Sequence, residues 1–126
     1  MKRNKFGAKK VVTAEGTFDS MAEYHRWCEL RLLERAGKIS GLRRQVSFQL
    51  IPPQRAESTE IYKGGPQRGL PKPGAVIEKA CSYVADFVYQ QDGKTIVEDT
   101  KGVRTDAYKI KRKLMLWVHG IKVIET

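Results

Sequence analysis

Residues 79–102 read KACSYVADFVYQQDGKTIVEDTKG, and this stretch decides the fold. Asp92-Gly93 between two apolar runs is a strong hairpin signal, so the flanking segments are expected to be antiparallel neighbours. On a strand, residues two apart share a face. Asp99 and Lys101 therefore point one way, and Glu98 and Thr100 the other. Asp86 interrupts an apolar strand beside Val84, Phe87 and Val88. An unpaired buried carboxylate is costly, so an acid in that setting needs a cation or a hydrogen-bond donor. Counting outward from the turn, residue 86 pairs close to residue 99, which sets the two acids side by side. A slip of one residue would undo this.

Upstream, TFDSMAEYHRWCELRLLERAGK carries Ser20 and Glu23 at capping-box spacing. Met21, Tyr24, Cys28 and Leu32 follow on one side of a 3.6-residue period, and Gly37 is a stop. The expectation is a helix over about 20–36. In RRQVSFQLIPP, Val46, Phe48 and Leu50 alternate with Gln45, Ser47 and Gln49, as in a strand with one buried face that ends at two prolines. Residues 54–74 hold four Gly and three Pro, a long loop by composition. Downstream, Thr105 can cap a helix with Ile110, Leu114, Trp117 and Val118 on its apolar side, Gly120 ends it, and IKVIE forms a last strand. The expected order is helix, strand, long loop, hairpin, helix, strand, without internal repeats.

The chain has 126 residues, the length of one domain: residues 18–126 behind a basic arm at 1–17, with a long basic loop at 53–75. Twenty-four Lys and Arg against fourteen Asp and Glu give a net charge of +10. Such a charge favours a polyanionic partner, nucleic acid first, although solubility alone could also account for it. Cys28 and Cys81 have no metal-ligand spacing, so reduced buried thiols and a cytoplasmic setting are expected. No apolar run reaches membrane-spanning length, and MKRNKFGAKK lacks the apolar core of a signal peptide.

Two facing carboxylates are hard oxygen ligands suited to Mg²⁺, which accepts phosphate oxygens as further ligands. A lysine two residues beyond can hold or help deprotonate an attacking water. Asp86, Asp99 and Lys101 together describe phosphodiester hydrolysis. The plainer alternative is an Asp99–Lys101 ion pair and an Asp86 that caps a turn. Glu23 can simply close its capping box, and His25 reads as a surface or packing residue. Lys109, Arg112 and Lys113 fall at i, i+3 and i+4 and form a basic stripe opposite the Ile110–Leu114–Trp117 side, placed to meet a phosphate backbone.

ADFVY, a turn, VEDTKG, then a basic amphipathic helix, with a glutamate-bearing helix upstream, resembles the PD-(D/E)XK nuclease superfamily and its restriction-endonuclease-like fold. FDSMAEYHRWCEL, RRQVSFQL and TKGVRTDAYKIKRKLM look like its small phage and prophage endonucleases related to Holliday-junction resolvases. The resemblance covers Phe18 to Glu125. It implies an α/β fold with a small mixed sheet flanked by two main helices. It also implies Asp86, Asp99 and the Thr100 carbonyl as ligands of one Mg²⁺ or Mn²⁺, with Glu23 completing the site directly or through water, and Lys101 as the catalytic lysine. Ala85 stands where the family has Pro, and Asp99 where it more often has Glu. The implied function is cleavage of branched DNA, such as a four-way junction, by a homodimer in a phage-infected bacterial cytoplasm. A flap or single-strand nicking enzyme, or a non-catalytic nucleic-acid-binding module, are the alternatives.

Overall fold

In the computed structural model, residues 9–126 are described. In chain order the elements are β1 (Val11–Thr13), β2 (Gly16–Phe18), α1 (Met21–Arg35), β3 (Ser40–Ile51), β4 (Gln54–Arg55), β5 (Val76–Glu78), β6 (Cys81–Gln91), β7 (Lys94–Asp99), α2 (Asp106–His119) and β8 (Ile124–Glu125). The protein is a mixed α/β structure. Its main sheet runs β3-β6-β7-β8, with β6 and β7 antiparallel and β7 and β8 parallel. None of its described helices is long and apolar enough to cross a membrane.

The chain divides into two compact units. One comprises the chain up to Phe48 with Tyr83–Thr126, and the other Gln49–Ser82. The second unit contains the expected long loop but extends beyond it at both ends and has structure of its own: an antiparallel β4–β5 pair and a bridge between Ile61 and Pro71. Gly74 belongs to this close packing, since a Cβ there would sit 1.9 Å from the Ala56 carbonyl oxygen. Part of the stretch assigned to the basic arm is also ordered, because β1 and β2 form a hairpin with Val11 opposite Phe18.

In the first unit the β6–β7 hairpin closes as its turn residues dictate. Asp92 and Gly93 both have left-handed backbones, φ 51° and 76°, the pair of conformations a tight two-residue turn needs. Register runs from Gln91 opposite Lys94 to Phe87 opposite Glu98. Both helices begin where expected. Ser20 Oγ accepts from the Glu23 N–H at 3.1 Å, and Thr105 Oγ1 from the Tyr108 N–H at 3.1 Å. Gly120, at φ 68°, ends α2 in the left-handed conformation that would strain any other residue type.

The buried faces of the helices differ from those the apolar periodicity indicates. On α1 the residues turned to the sheet are Glu23, Arg26, Trp27 and Leu30, while Met21 and Leu32 are exposed. Leu30 and Trp27 pack with Ile39, Phe87 and Tyr89. On α2, Tyr108 and Met115 are buried and Ile110, Trp117 and Val118 are exposed. The reason is polar burial: the sheet presents carboxylates to both helices, so the helices meet it with residues able to bond them. Glu98, 1 % exposed, receives a two-pronged bond from Arg26 (Nε to Oε1, 2.7 Å; Nη2 to Oε2, 2.8 Å) and the Tyr89 hydroxyl. Arg112 bonds Glu125 at 3.3 Å. The cysteines are free, as expected, but half-buried rather than buried.

Removing one partner of a buried pair leaves an uncompensated charge. Arg26→Met should therefore destabilise the protein by about 3–5 kcal/mol in urea unfolding. The double variant Arg26→Met/Glu98→Leu should recover part of that loss.

Candidate active site

β7 carries two consecutive buried acids that leave the strand in opposite directions. Glu98 points to α1, as just described. Asp99, wholly buried, points to the other face, where the Tyr83 hydroxyl donates to its Oδ2. Its Oδ1 is buried with no well-directed hydrogen-bond donor and faces the Lys101 ammonium at 3.1 Å. Lys101 in turn lies over the Tyr108 ring of α2, 4.7 Å from its centroid. The aromatic face and the carboxylate together hold the ammonium in place.

Asp86 sits one step beyond the Phe87–Glu98 pair, beside Asp99, as counting from the turn anticipates. Its Oδ2 accepts the Thr100 N–H at 2.8 Å, tying the end of β7 to β6. Burial, and then the charge of Asp99, push the Asp86 carboxyl up to about 7; the Thr100 N–H opposes this only in part. Asp86, Thr100, Lys101 and Tyr108 line one cleft of about 270 Å³ with Asp19 and Glu23, and Asp99 lies buried beside Lys101.

Glu23 reaches this cleft from the first turn of α1 but is engaged elsewhere. Oε2 accepts the Asp19 N–H at 3.0 Å, and Oε1 accepts from Gln45 Nε2 at 3.2 Å with Arg44 at 3.7 Å. Burial raises its pKa. The same Gln45 nitrogen donates to Asp86 Oδ1 at 3.3 Å, so one amide links the two acids. Gln45 was not singled out in the sequence. Its backbone is left-handed, φ 51°, in the middle of a strand, a conformation that is strained for a side chain with a Cβ and that aims the amide at both carboxylates. Tyr83 was likewise unanticipated as a partner of Asp99. Of the basic stripe, Arg112 is turned inward to Glu125, and Lys109 and Lys113 are exposed; none of the three lines the acid cleft.

The donor set suits a hard divalent cation. Asp99 keeps one buried acceptor oxygen without a hydrogen bond, and Asp86 is held beside it at a cost to its ionisation that a cation would relieve. Among the described residues, no group of three or more His, Cys, Asp or Glu side chains is arranged to hold a metal. The side-chain donors brought together here are therefore the Asp86 and Asp99 carboxylates.

A family model described as "Protein of unknown function (DUF1064)" matches residues 3–119. No curated protein matches the chain, and no solved structure does.

An acid whose folded pKa is raised contributes stability below its unfolded pKa, near 4, and loses it as pH climbs through about 7. In metal-free buffer the melting temperature of the protein, relative to that of Asp86→Asn, should fall between pH 4.5 and pH 8. A difference that stays flat across this range would contradict the placement of Asp86.

Proposed function

The chain belongs to the DUF1064 family of proteins of unknown function, and from the chemistry of its acid cleft we propose that it is a metal-dependent DNA endonuclease of the PD-(D/E)XK type. The observation that carries this reading is the meeting of Asp86, Asp99 and Lys101 on one face at the end of a single hairpin, with the Lys101 ammonium 3.1 Å from Asp99. The mixed sheet between two helices is compatible with the restriction-endonuclease-like fold that this reading requires.

In this proposal Asp86, Asp99 and the Thr100 carbonyl hold one Mg²⁺ or Mn²⁺, and Glu23 supports Asp86 through the Gln45 amide. The bound ion would supply charge stabilisation at the scissile phosphate and make a water acidic enough to attack. Lys101 would hold the attacking water by hydrogen bond and offer positive charge to the phosphate. Asp99 and the Tyr108 ring fix its ammonium in position, so little reorganisation is needed during reaction. Tyr83 and the Thr100 N–H orient the two acids. The net charge of +10 supports a nucleic-acid substrate. Phosphate contacts carry no base sequence, so we propose selectivity for DNA structure, with branched DNA such as a four-way junction cut by a homodimer. The second reading, a non-catalytic nucleic-acid-binding module, is favoured by the capping role of Glu23, which leaves only two acids for a metal.

Incubation with a labelled four-way junction, a flap and a linear duplex, in Mg²⁺ and in EDTA, separates these readings. The expected result is metal-dependent nicking of the junction, reduced at least about 100-fold by Asp99→Ala and by Lys101→Ala while DNA binding persists. Binding without cleavage in either Mg²⁺ or Mn²⁺ would overturn the enzyme. Equal cleavage of the linear duplex would overturn the junction preference.

A further inference from the structure

α2 turns its most apolar residues away from the protein. Trp117 is 84 % exposed and Ile110 58 % exposed, nine and two positions along from buried Tyr108. Seven residues apart, they stand on the same outer side of the helix, about 10 Å from one another. Lys113 lies between them on that side rather than opposite it, where the basic stripe is expected, and Lys109 lies one turn from Lys113. Neither lysine has an ion-pair or hydrogen-bond partner among the described residues, in contrast to Arg104 and Arg112, which Glu125 holds at 3.0 and 3.3 Å. An exposed tryptophan on a globular surface leaves a large apolar area in water, and this one is interleaved with free cations.

We infer that the outer face of α2 is a docking surface for unpaired nucleotides, with Trp117 stacking on an exposed base while Lys109 and Lys113 bind the neighbouring phosphates. Charge decides between this occupant and a second copy of the chain. Two α2 helices packed face to face would oppose Lys109 and Lys113 to their own equivalents, with Asp106 as the helix's single acid at its far end. A single-stranded segment brings the opposite charge and an aromatic face together, the two features this surface matches. Duplex DNA offers the phosphates alone, because its bases are already stacked. The inference extends the reading of the chain as a DNA-acting protein by naming what it recognises in a substrate, namely unpaired bases at a branch or flap.

The test uses the full chain in EDTA, so that stacking and cleavage can fail separately. Binding of labelled oligothymidylate and of a paired duplex of equal length is measured by anisotropy across a salt series. Trp117→Ala should weaken oligothymidylate binding about tenfold, the equivalent of one stacked base, and leave duplex binding unchanged, while Trp117→Phe should retain most of the affinity. Lys109→Gln/Lys113→Gln should lower the salt slope by about two for both DNAs. Unchanged oligothymidylate affinity in Trp117→Ala, with the far-ultraviolet circular dichroism of the parent, would overturn the inference. So would a concentration-dependent dimer in sedimentation that Trp117→Ala abolishes without altering DNA binding, since that would make the face a contact between copies.

Discussion

Two adjacent carboxylates buried on opposite faces of one short strand are the constraint from which the rest of the first unit follows. Glu98 and Asp99 are both hidden from solvent, and neither can be buried without a partner on its own side. Glu98 requires a cation from α1, and Arg26 supplies it at 2.7 Å. Asp99 requires donors from the other face, and finds the Tyr83 hydroxyl and the Lys101 ammonium. A one-residue slip of β7 against β6 would exchange these environments and present each acid to the wrong helix. The register that brings Asp86 beside Asp99 is thus held by polar complementarity as well as by the Asp92-Gly93 turn. In this protein the acid pair of the candidate site and the anchoring of the two helices are parts of one arrangement.

That dependence explains what was legible in the sequence and what was not. The hairpin, both helix starts and both helix stops were legible because each is encoded within a few residues: Asp92-Gly93, Ser20 with Glu23, Thr105, Gly37 and Gly120. The juxtaposition of Asp86 with Asp99, and of Asp99 with Lys101, was legible because strand periodicity and a turn fix it. The buried faces of the helices were not. Apolar periodicity assumes that a helix buries its apolar stripe, whereas α1 buries Glu23 and half-buries Arg26, and α2 half-buries Arg112. Gln45 escaped notice because its role depends on a left-handed backbone that no local residue pattern announces. In the sequence, residues 1–17 read as a basic arm, and the one signal for the hairpin at 11–18 is Gly16, whose φ of 127° few other residues adopt.

The placement of charge carries the argument further than its sum. Several arginines are committed to fixed partners: Arg26 to Glu98, Arg44 to Thr17 and over the Phe18 ring at 3.7 Å, and Arg104 and Arg112 to Glu125. Among the described residues the lysines are exposed, except half-buried Lys101 and Lys111. This division accords with the chemistry of the two side chains, since a planar guanidinium suits fixed bidentate and stacked positions and a hydrated ammonium suits water and mobile phosphates. It also places Lys101 in a different class from the surface lysines, because it is held between a buried carboxylate and an aromatic ring.

A net charge of +10 favours a phosphate-bearing partner, whereas the most buried groups of the cleft are acids, and on the proposed reading the two features conflict unless positive charge stands between them. Lys101 supplies one charge against Asp86 and Asp99, while Arg44 stands 3.7 Å from Glu23. Burial first, and then the charges of Asp99 and Glu23, push the Asp86 carboxyl up to about 7. An approaching phosphate would deepen the imbalance, by like-charge repulsion from Asp86 and Asp99 in a setting of low dielectric. On the proposed reading, a divalent cation held by the two acids would reverse the sign of the cleft, favour the ionised form of Asp86 and offer the phosphate a ligand position. On the proposed reading the acid pair is one half of a cation site, since a structural ion pair would need only a single acid facing Lys101.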